Sequence, residues 1–230
     1  MATRWHVAES EANWLSRALA FIHAAEAAAL ADHGQFSIVL AGGSTPGRVY
    51  QALAGESHDW SRWQVWYGDE RCLPPGHSER NSTLADESWL KRAAIPGVNI
   101  YPIPAELGAS IGAEAYARTL TGKGPFDLVL LGLGEDGHTA SLFPGHAWGE
   151  TADMPDALPV FDAPKPPPER VSLSARRLSD ARRVLFLVAG AGKREAVAAW
   201  RRGEAIPAAS IRPAAGVDVL LDQSAYGGKS

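Results

Sequence analysis

The sequence predicts an α/β fold in which a Rossmann-like, mostly parallel sheet lies between layers of helices. Short segments rich in valine, isoleucine and leucine alternate along the chain with alanine-rich, amphipathic segments. The short segments are apolar at nearly every position, which is typical of parallel strands covered on both faces. Alternation of this kind favours right-handed crossovers between neighbouring parallel strands.

Five segments have the length and the apolar, β-branched composition of buried strands. In chain order they are residues 36–40, 63–67, 126–131, 184–188 and the shorter 217–221. Ligands of open α/β folds bind at the carboxyl ends of the strands. The loops that follow each strand are therefore the places where functional residues are expected.

Five amphipathic segments predict helices, at residues 11–33, about 47–54, 82–93, 109–121 and 192–201. The longest is followed by Gly34, and glycine commonly closes a helix in the left-handed conformation. Ser82 and Ser110 are predicted N-caps, because a serine hydroxyl can accept a hydrogen bond from a free amide of the first turn.

Residues 151–169 form the one break in composition, because they contain six prolines. The 60 or so residues that follow hold two strand signals, too few for a sheet of their own. We therefore expect a surface loop inside a single domain that spans residues 1–230. Whether this loop closes over a substrate stays open.

The composition excludes several classes of function. The chain has 230 residues and a formal net charge of −4, from 22 basic and 26 acidic side chains. This charge argues against a nucleic acid or an anionic membrane as partner. No apolar run approaches the ~20 residues of a membrane span, and the amino terminus lacks an apolar signal core. We expect a cytoplasmic monomer.

The loop after the 36–40 strand is the first candidate phosphate site. It reads Ala-Gly-Gly-Ser-Thr-Pro from residue 41. Gly43 lets the backbone approach an anion, Ser44 and Thr45 add hydroxyl donors, and a helix start favours phosphate. The spacing matches neither a Walker A loop nor a dinucleotide-binding loop. The alternative is a tight strand–helix turn with a serine or threonine cap.

Three adjacent charged residues follow the 63–67 strand. Arg71 could bind a phosphate through two parallel hydrogen bonds, with Asp69 or Glu70 orienting its guanidinium. The alternative is a solvated surface turn. Cys72 is the only cysteine, which excludes an internal disulfide and a multi-cysteine metal site. We expect its thiol to be packed and structural rather than reactive.

The glycine-rich loop after the 126–131 strand is the most informative stretch. It places Asp136 two residues before His138, between Gly134 and Thr139. An imidazole in such a loop can act as a general base, and the carboxylate can hold its tautomer or contact substrate hydroxyls. A structural histidine is the alternative. With His146 included, the spacing matches no common metal site, so we expect no metal.

Two further basic residues lie where a phosphate could bind. Arg170 follows the proline-rich segment, and Lys193 follows Ala-Gly-Ala-Gly at the start of a predicted helix. Each alone could be an ordinary surface charge. The serines at 141, 172 and 174 lack a G-x-S-x-G context, so the sequence does not predict a serine hydrolase.

Taken together, five motifs in this order resemble the 6-phosphogluconolactonase family. They are residues 41–46, Asp69-Glu70-Arg71 with Asn81, and residues 132–145, 166–174 and 190–193. The resemblance covers about residues 37–195, and the flanks fit less distinctively. It implies metal-free hydrolysis of 6-phospho-D-glucono-1,5-lactone to 6-phosphogluconate on a Rossmann-like sheet, with no cofactor.

The resemblance also implies roles for the residues already singled out. His138 would deprotonate the attacking water, and Asp136 would be a catalytic-site carboxylate whose task stays open. The residues implied to bind the phosphate or the rest of the substrate are Gly43, Ser44, Thr45, Asp69, Arg71, Arg170 and Lys193.

Two alternative functions are weaker. Glucosamine-6-phosphate deaminases have a similar fold and loop, but theirs typically continues Ile-Ala-Phe-Asn-Glu-Pro, where the glutamate assists ring opening. Phe143 takes that position here, and Arg71 stands where that family usually has tyrosine. A non-catalytic sugar-phosphate sensor would often carry a DNA-binding module, and it would be expected to lose His138. A preference between γ- and δ-lactones is left open.

Overall fold

The computed structural model describes residues 2–227 of the chain. Its strands are β1 (Thr3–Val7), β2 (Phe36–Leu40), β3 (Trp63–Tyr67), β4 (Asp69–Arg71), β5 (Ile100–Tyr101), β6 (Leu128–Gly132), β7 (Ala157–Val160), β8 (Arg170–Leu173), β9 (Val184–Val188) and β10 (Val217–Leu221). Within this range, seven strands form an all-parallel sheet in the order β1-β10-β9-β6-β2-β3-β5. The predicted α/β fold is confirmed.

The helices are α1 (Glu11–Asp32), α2 (Ser44–Leu53), α3 (Asn81–Ala85), α4 (Ala109–Leu120), α5 (Ala175–Ser179), α6 (Arg194–Arg201) and α7 (Gln223–Tyr226). Gly34 follows α1 with a φ of +80°, in line with its predicted role in ending the helix. The helix predicted at 82–93 begins one residue earlier and continues as a π-helical turn to Leu90. The predicted N-caps are wrong, since Arg80 and Gly108 hold those positions.

Four of the predicted strands, β2, β3, β9 and β10, have the predicted bounds. The start of β6 is two residues later than predicted, because Phe126 makes only an isolated bridge to Ala181. No sequence pattern indicated β1, a partly exposed edge strand without a continuous apolar run. It is held by Asp218 of β10, whose carboxylate accepts hydrogen bonds from the Arg4 guanidinium at 2.7 and 2.8 Å.

The proline-rich segment is not a loop throughout. Its residues 157–160 form β7, which pairs antiparallel with β8, and β8 pairs antiparallel with β4. β7 lies at the edge of this small sheet, where Pro159 is tolerated because one side of the strand makes no ladder bonds. The expectation of a loop across 151–169 is therefore wrong for this strand.

Large aromatic side chains fill the core on both faces of the main sheet. Trp14, Trp63, Trp66 and Trp89 are among the largest fully buried side chains, which gives half of the eight tryptophans a packing role. The helices within residues 2–227 include none with the combined length and hydrophobicity of a transmembrane segment.

The sheet arrangement brings the candidate functional loops to one place. Because the main strands are parallel, the loops after β2, β6 and β9 leave from the same edge of the sheet. Gly68 connects β3 to β4, and its carbonyl accepts a hydrogen bond of 2.8 Å from the amide of Leu173 at the end of β8. The small sheet is thereby fixed at that same edge.

Candidate active site

A cavity of about 510 Å³ lies at the carboxyl edge of the main sheet. Of the residues singled out from the sequence, those that line it are Gly43, Ser44, Thr45, Asp69, Arg71, His138, Arg170 and Lys193. Asp136 lies beside the His138 ring, outside the lining. Side chains separated by up to 150 positions in the sequence are thus brought to one cavity.

Asp136 holds the His138 ring from its Nδ1 side. Its Oδ1 lies 2.5 Å from His138 Nδ1 and also accepts a hydrogen bond of 3.2 Å from the backbone amide of His138. Burial acts to raise the pKa of Asp136, but the hydrogen bond and the charge of His138 outweigh burial and lower that pKa below its usual value. An ionised carboxylate favours a proton on Nδ1, which leaves Nε2 able to accept a proton.

Gly134 makes room for this pair. A Cβ at position 134 would lie 2.0 Å from His138 Nδ1 and 2.6 Å from Asp136 Oδ1. The turn is closed by the Gly134 amide, which donates to the His138 carbonyl at 2.7 Å. The loop therefore needs glycine here because the imidazole and the carboxylate occupy the space of a side chain.

Arg71 presents an unsatisfied donor in the wall of the cavity. Its Nη1 donates to the Glu79 carbonyl at 2.9 Å. Its buried Nε has no hydrogen-bond partner in the described part of the chain. A buried N–H without an acceptor is unfavourable by about 1–3 kcal/mol, so this donor favours an anionic ligand that would accept from it.

Arg170 organises the end of the proline-rich segment. Its Nε donates to the Pro167 carbonyl at 3.1 Å, and its Nη2 to the Lys165 carbonyl at 2.9 Å. Its guanidinium carbon lies 5.5 Å from the centre of the Phe143 ring. Burial lowers the pKa of Arg170, the charge of Asp69 acts to raise that pKa, and the smaller effect of Arg71 acts to lower it. Two tasks thus fall to one guanidinium, which shapes the segment and lines the cavity.

Lys165 and Pro166 also line the cavity, so the proline-rich segment forms part of its wall. No sequence pattern marked Lys165, because a lysine among prolines is ordinarily a solvated residue of a linker. The one available signal was its position five residues before Arg170. Lys165 adds a further cation to the group formed by Arg71, Arg170 and Lys193.

The Asp69 carboxylate is occupied by protein donors. Oδ1 accepts from the Asn81 side chain at 2.9 Å, and Oδ2 accepts from the Ser141 hydroxyl at 2.6 Å. Asp69 thereby ties α3 and the loop after β6 to the small sheet. Its predicted contact with substrate stays a prediction.

Glu70 has a structural task that the sequence did not reveal. Its buried carboxylate accepts from the backbone amides of Asn81 at 2.7 Å and Ser82 at 2.9 Å, which caps the start of α3. Within residues 2–227, neither Asp69 nor Glu70 pairs with the guanidinium of Arg71. The expectation that one of them orients Arg71 through such a pair is wrong.

Two helix starts contribute to the cavity. Gly43, with a φ of +100°, precedes α2, and the helix has no side-chain cap within the described residues. The alternative of a serine or threonine cap is therefore not observed. Ser44 and Thr45 lie in the first turn, where free amides and the helix dipole favour an anion. Lys193 stands directly before α6.

Cys72 follows Arg71 in the chain and is half-buried. Burial and the charge of Glu169 raise the pKa of its thiol to about 11. We expect iodoacetamide to label Cys72 at pH 7.5 about 100-fold more slowly than a free cysteine, because the thiolate is the reactive form. Mass spectrometry of timed samples measures this rate, which should rise steadily as the pH approaches 11. Equal rates for the native chain and the chain unfolded in guanidinium would contradict the expectation.

Known proteins are similar to this chain over most of its length. The family model described as glucosamine-6-phosphate isomerases/6-phosphogluconolactonase matches residues 9–220. A 6-phosphogluconolactonase of Synechocystis sp. is 38% identical over 224 residues, which cover 92% of this chain and 92% of that protein. A chloroplastic 6-phosphogluconolactonase of Arabidopsis thaliana is 35% identical over 199 residues, which cover 78% of this chain but 61% of that protein.

A solved structure has the same fold. The crystal structure of 6-phosphogluconolactonase from Thermotoga maritima superposes with a TM-score of 0.88 at 27% sequence identity. The match covers 96% of this chain and 100% of that one.

Proposed function

Because the chain belongs to the glucosamine-6-phosphate isomerase/6-phosphogluconolactonase family, we propose that it is a hydrolase of 6-phospho-D-glucono-1,5-lactone. The product is 6-phospho-D-gluconate, and the step belongs to the oxidative pentose phosphate pathway. The observation that carries the proposal is that the His138 ring, paired with Asp136, shares one cavity with Arg71, Arg170 and Lys193.

In the proposed reaction His138 acts as a general base. Its Nε2 takes a proton from a water molecule, and the resulting hydroxide forms a bond to C1 of the lactone. The tetrahedral intermediate collapses by breaking the bond from C1 to the ring oxygen, and the imidazolium returns its proton to that oxygen. Asp136 holds the ring and stabilises the transient positive charge. No metal or cofactor takes part in any step.

The phosphate group supplies the binding energy that orients the lactone. Arg71, Arg170 and Lys193 offer cationic donors, and Ser44 and Thr45 offer the start of a helix. Because the phosphate is remote from C1, its binding can position the carbonyl beside His138 without taking part in bond making. Lys165, from the proline-rich segment, lines the same cavity. Arg71, Arg170, Lys193 and Lys165 together are called the cationic wall.

One feature favours the lactonase over the deaminase of the same family. Phe143, at the position of the deaminase glutamate, is 1% exposed, and its ring centre lies 4.8 Å from that of His138. A phenyl ring cannot donate or accept the proton that opening a hemiacetal ring requires. A lactone needs no such group, because hydrolysis itself opens the ring.

The decisive experiment measures hydrolysis of the phosphorylated lactone against its spontaneous rate. We expect acceleration of this substrate, no ammonia release from glucosamine 6-phosphate, and no loss of rate after treatment with EDTA. A rate equal to the spontaneous background would overturn the proposal. All the groups named lie on one chain, so we also propose that a monomer is sufficient for activity. We further propose that the enzyme acts in the cytoplasm.

Gly134→Ala is expected to lower kcat about 100-fold, because displacing a reacting group by ~1 Å can cost this much. The new methyl group would displace the imidazole of His138, while the cationic wall would stay in place and KM would change little. Steady-state kinetics measure both constants. Gly124→Ala is the control, since a Cβ there meets open space among the described residues. Similar kinetics for the two variants would contradict the reason given.

Arg71→Ala is expected to raise KM for the phosphorylated lactone by about 10- to 100-fold. This range corresponds to the free energy of a hydrogen bond to a charged group. The loss should be small with the unphosphorylated lactone, which lacks the anion. Arg118→Ala removes an exposed arginine on α4 and should change neither constant. Equal losses on both substrates would show that Arg71 does not contact the phosphate.

A further inference from the structure

Two histidines and a glutamate lie close together near the amino ends of the strands of the main sheet, at the edge opposite the cavity. His23 lies on α1, and Glu56 and His58 lie in the connection between α2 and β3. That connection leads into the amino end of β3, whereas the cavity is at the carboxyl ends of the strands. One ligand atom from each of the three side chains lies within 4.8 Å of the other two.

The two imidazoles converge on one carboxylate oxygen. Glu56 Oε2 lies 2.8 Å from His23 Nε2 and 3.1 Å from His58 Nε2. Ligand atoms of a tetrahedral zinc site with bonds of ~2.0–2.1 Å are about 3.3 Å apart. Small side-chain movements would therefore bring both nitrogens and the oxygen to coordinating positions.

A buried carboxylate supports the cluster from behind. Glu26 is 8% exposed, and its Oε2 lies 2.8 Å from His58 Nδ1. Its Oε1 accepts a hydrogen bond of 2.7 Å from the Trp63 indole, so its orientation is fixed. Metal-binding histidines usually donate their second N–H to a carboxylate in this way, which fixes the ring and the free nitrogen.

We propose that His23, Glu56 and His58 bind one divalent zinc ion, or an ion of similar preference, with water in the remaining position. Two imidazole nitrogens and one carboxylate oxygen are a donor set that suits such ions. The bound ion would tie α1 to the connection before β3. It would stabilise the fold and take no part in the reaction, because the three ligands lie outside the lining of the cavity.

The test titrates ZnCl₂ into EDTA-treated, dialysed protein in a buffer that does not bind metals. We expect one ion per chain, with a rise in Tm of roughly 5–10 °C when zinc is at 100 times Kd. The substitutions His23→Gln and Glu56→Gln should each weaken zinc binding at least tenfold. Both leave the contact between Glu26 and His58 intact. His33→Gln is the control, because His33 pairs with the Asp127 carboxylate and lies outside the three-residue cluster. This variant should bind zinc as the wild type does.

A local signal separates this site from zinc bound elsewhere. The rings of Trp60 and Trp63 are centred 4.6 and 5.2 Å from that of His58. Ni²⁺, a paramagnetic quencher, should therefore reduce part of the tryptophan fluorescence in the wild type and not in His23→Gln. Lactone hydrolysis should be unchanged by the metal. Absence of stoichiometric binding at about 1 mM zinc, or equal affinity of the wild type and His23→Gln, would overturn the proposal.

Discussion

Replacing His138 with alanine is expected to lower kcat for the phosphorylated lactone by about 10²- to 10⁴-fold, the range typical of a lost general base. The variant keeps the cationic wall, so KM should stay within a few-fold of the wild type. Rates must be measured above spontaneous hydrolysis, and circular dichroism should show an unchanged fold. Added imidazole should restore part of the rate by occupying the space that the ring leaves.

His146→Ala is the matched control for this experiment. His146 lies in the same loop, and its ring is centred 6.0 Å from that of Phe143, which also contacts His138. It is exposed and outside the lining of the cavity. We expect kcat to remain at the wild-type value. A His138→Ala variant that hydrolyses the lactone at the wild-type rate would remove the basis of the mechanism.

Asp136→Asn is expected to lower kcat by about 10²- to 10⁴-fold with little change in KM, because the orienting partner of a catalytic histidine commonly has this effect. An amide can donate to Nδ1, which would place the ring proton on Nε2 and prevent that nitrogen from acting as a base. It also lacks the charge that stabilises the imidazolium. Steady-state kinetics over a range of pH measure the loss.

The lowered pKa of Asp136 determines whether acid can have the same effect as the Asp136→Asn substitution. A carboxyl group with a lowered pKa stays ionised until the pH falls below its usual value of ~3.9, so mild acid does not reproduce the variant. Glu135→Gln, one position away and exposed, should retain wild-type kcat. Equal losses in the two variants would indicate a general effect of loop charge rather than a contact with His138.

The buried part of the fold was predictable because its physical cause is local. β2, β3, β9 and β10 are covered on both faces, and only continuous apolar runs meet that requirement. The glycine-rich loop with Asp136 and His138 was equally visible, since both residues of the pair lie within three positions of each other. Their hydrogen bond at 2.5 Å needs no long-range contact.

The remainder depended on contacts between distant segments. β1 is an edge strand whose place is fixed by a pair with Asp218, more than 200 positions away. β7 contains a proline and forms only because β8 is beside it. Lys165 reaches the cavity because Arg170 binds its backbone carbonyl. Patterns within a short window carry no information about such contacts.

The pairing of β4 with β8 places Arg71 directly opposite Arg170. Like charges at such positions repel each other, and the Asp69 carboxylate offsets this repulsion at Arg170. A dianion between the two guanidinium groups would reduce their repulsion further, which makes anion affinity and the stability of the small sheet thermodynamically linked. Inorganic phosphate or sulfate in a buffer would then act both as a stabiliser of the protein and as a competitor of its substrate.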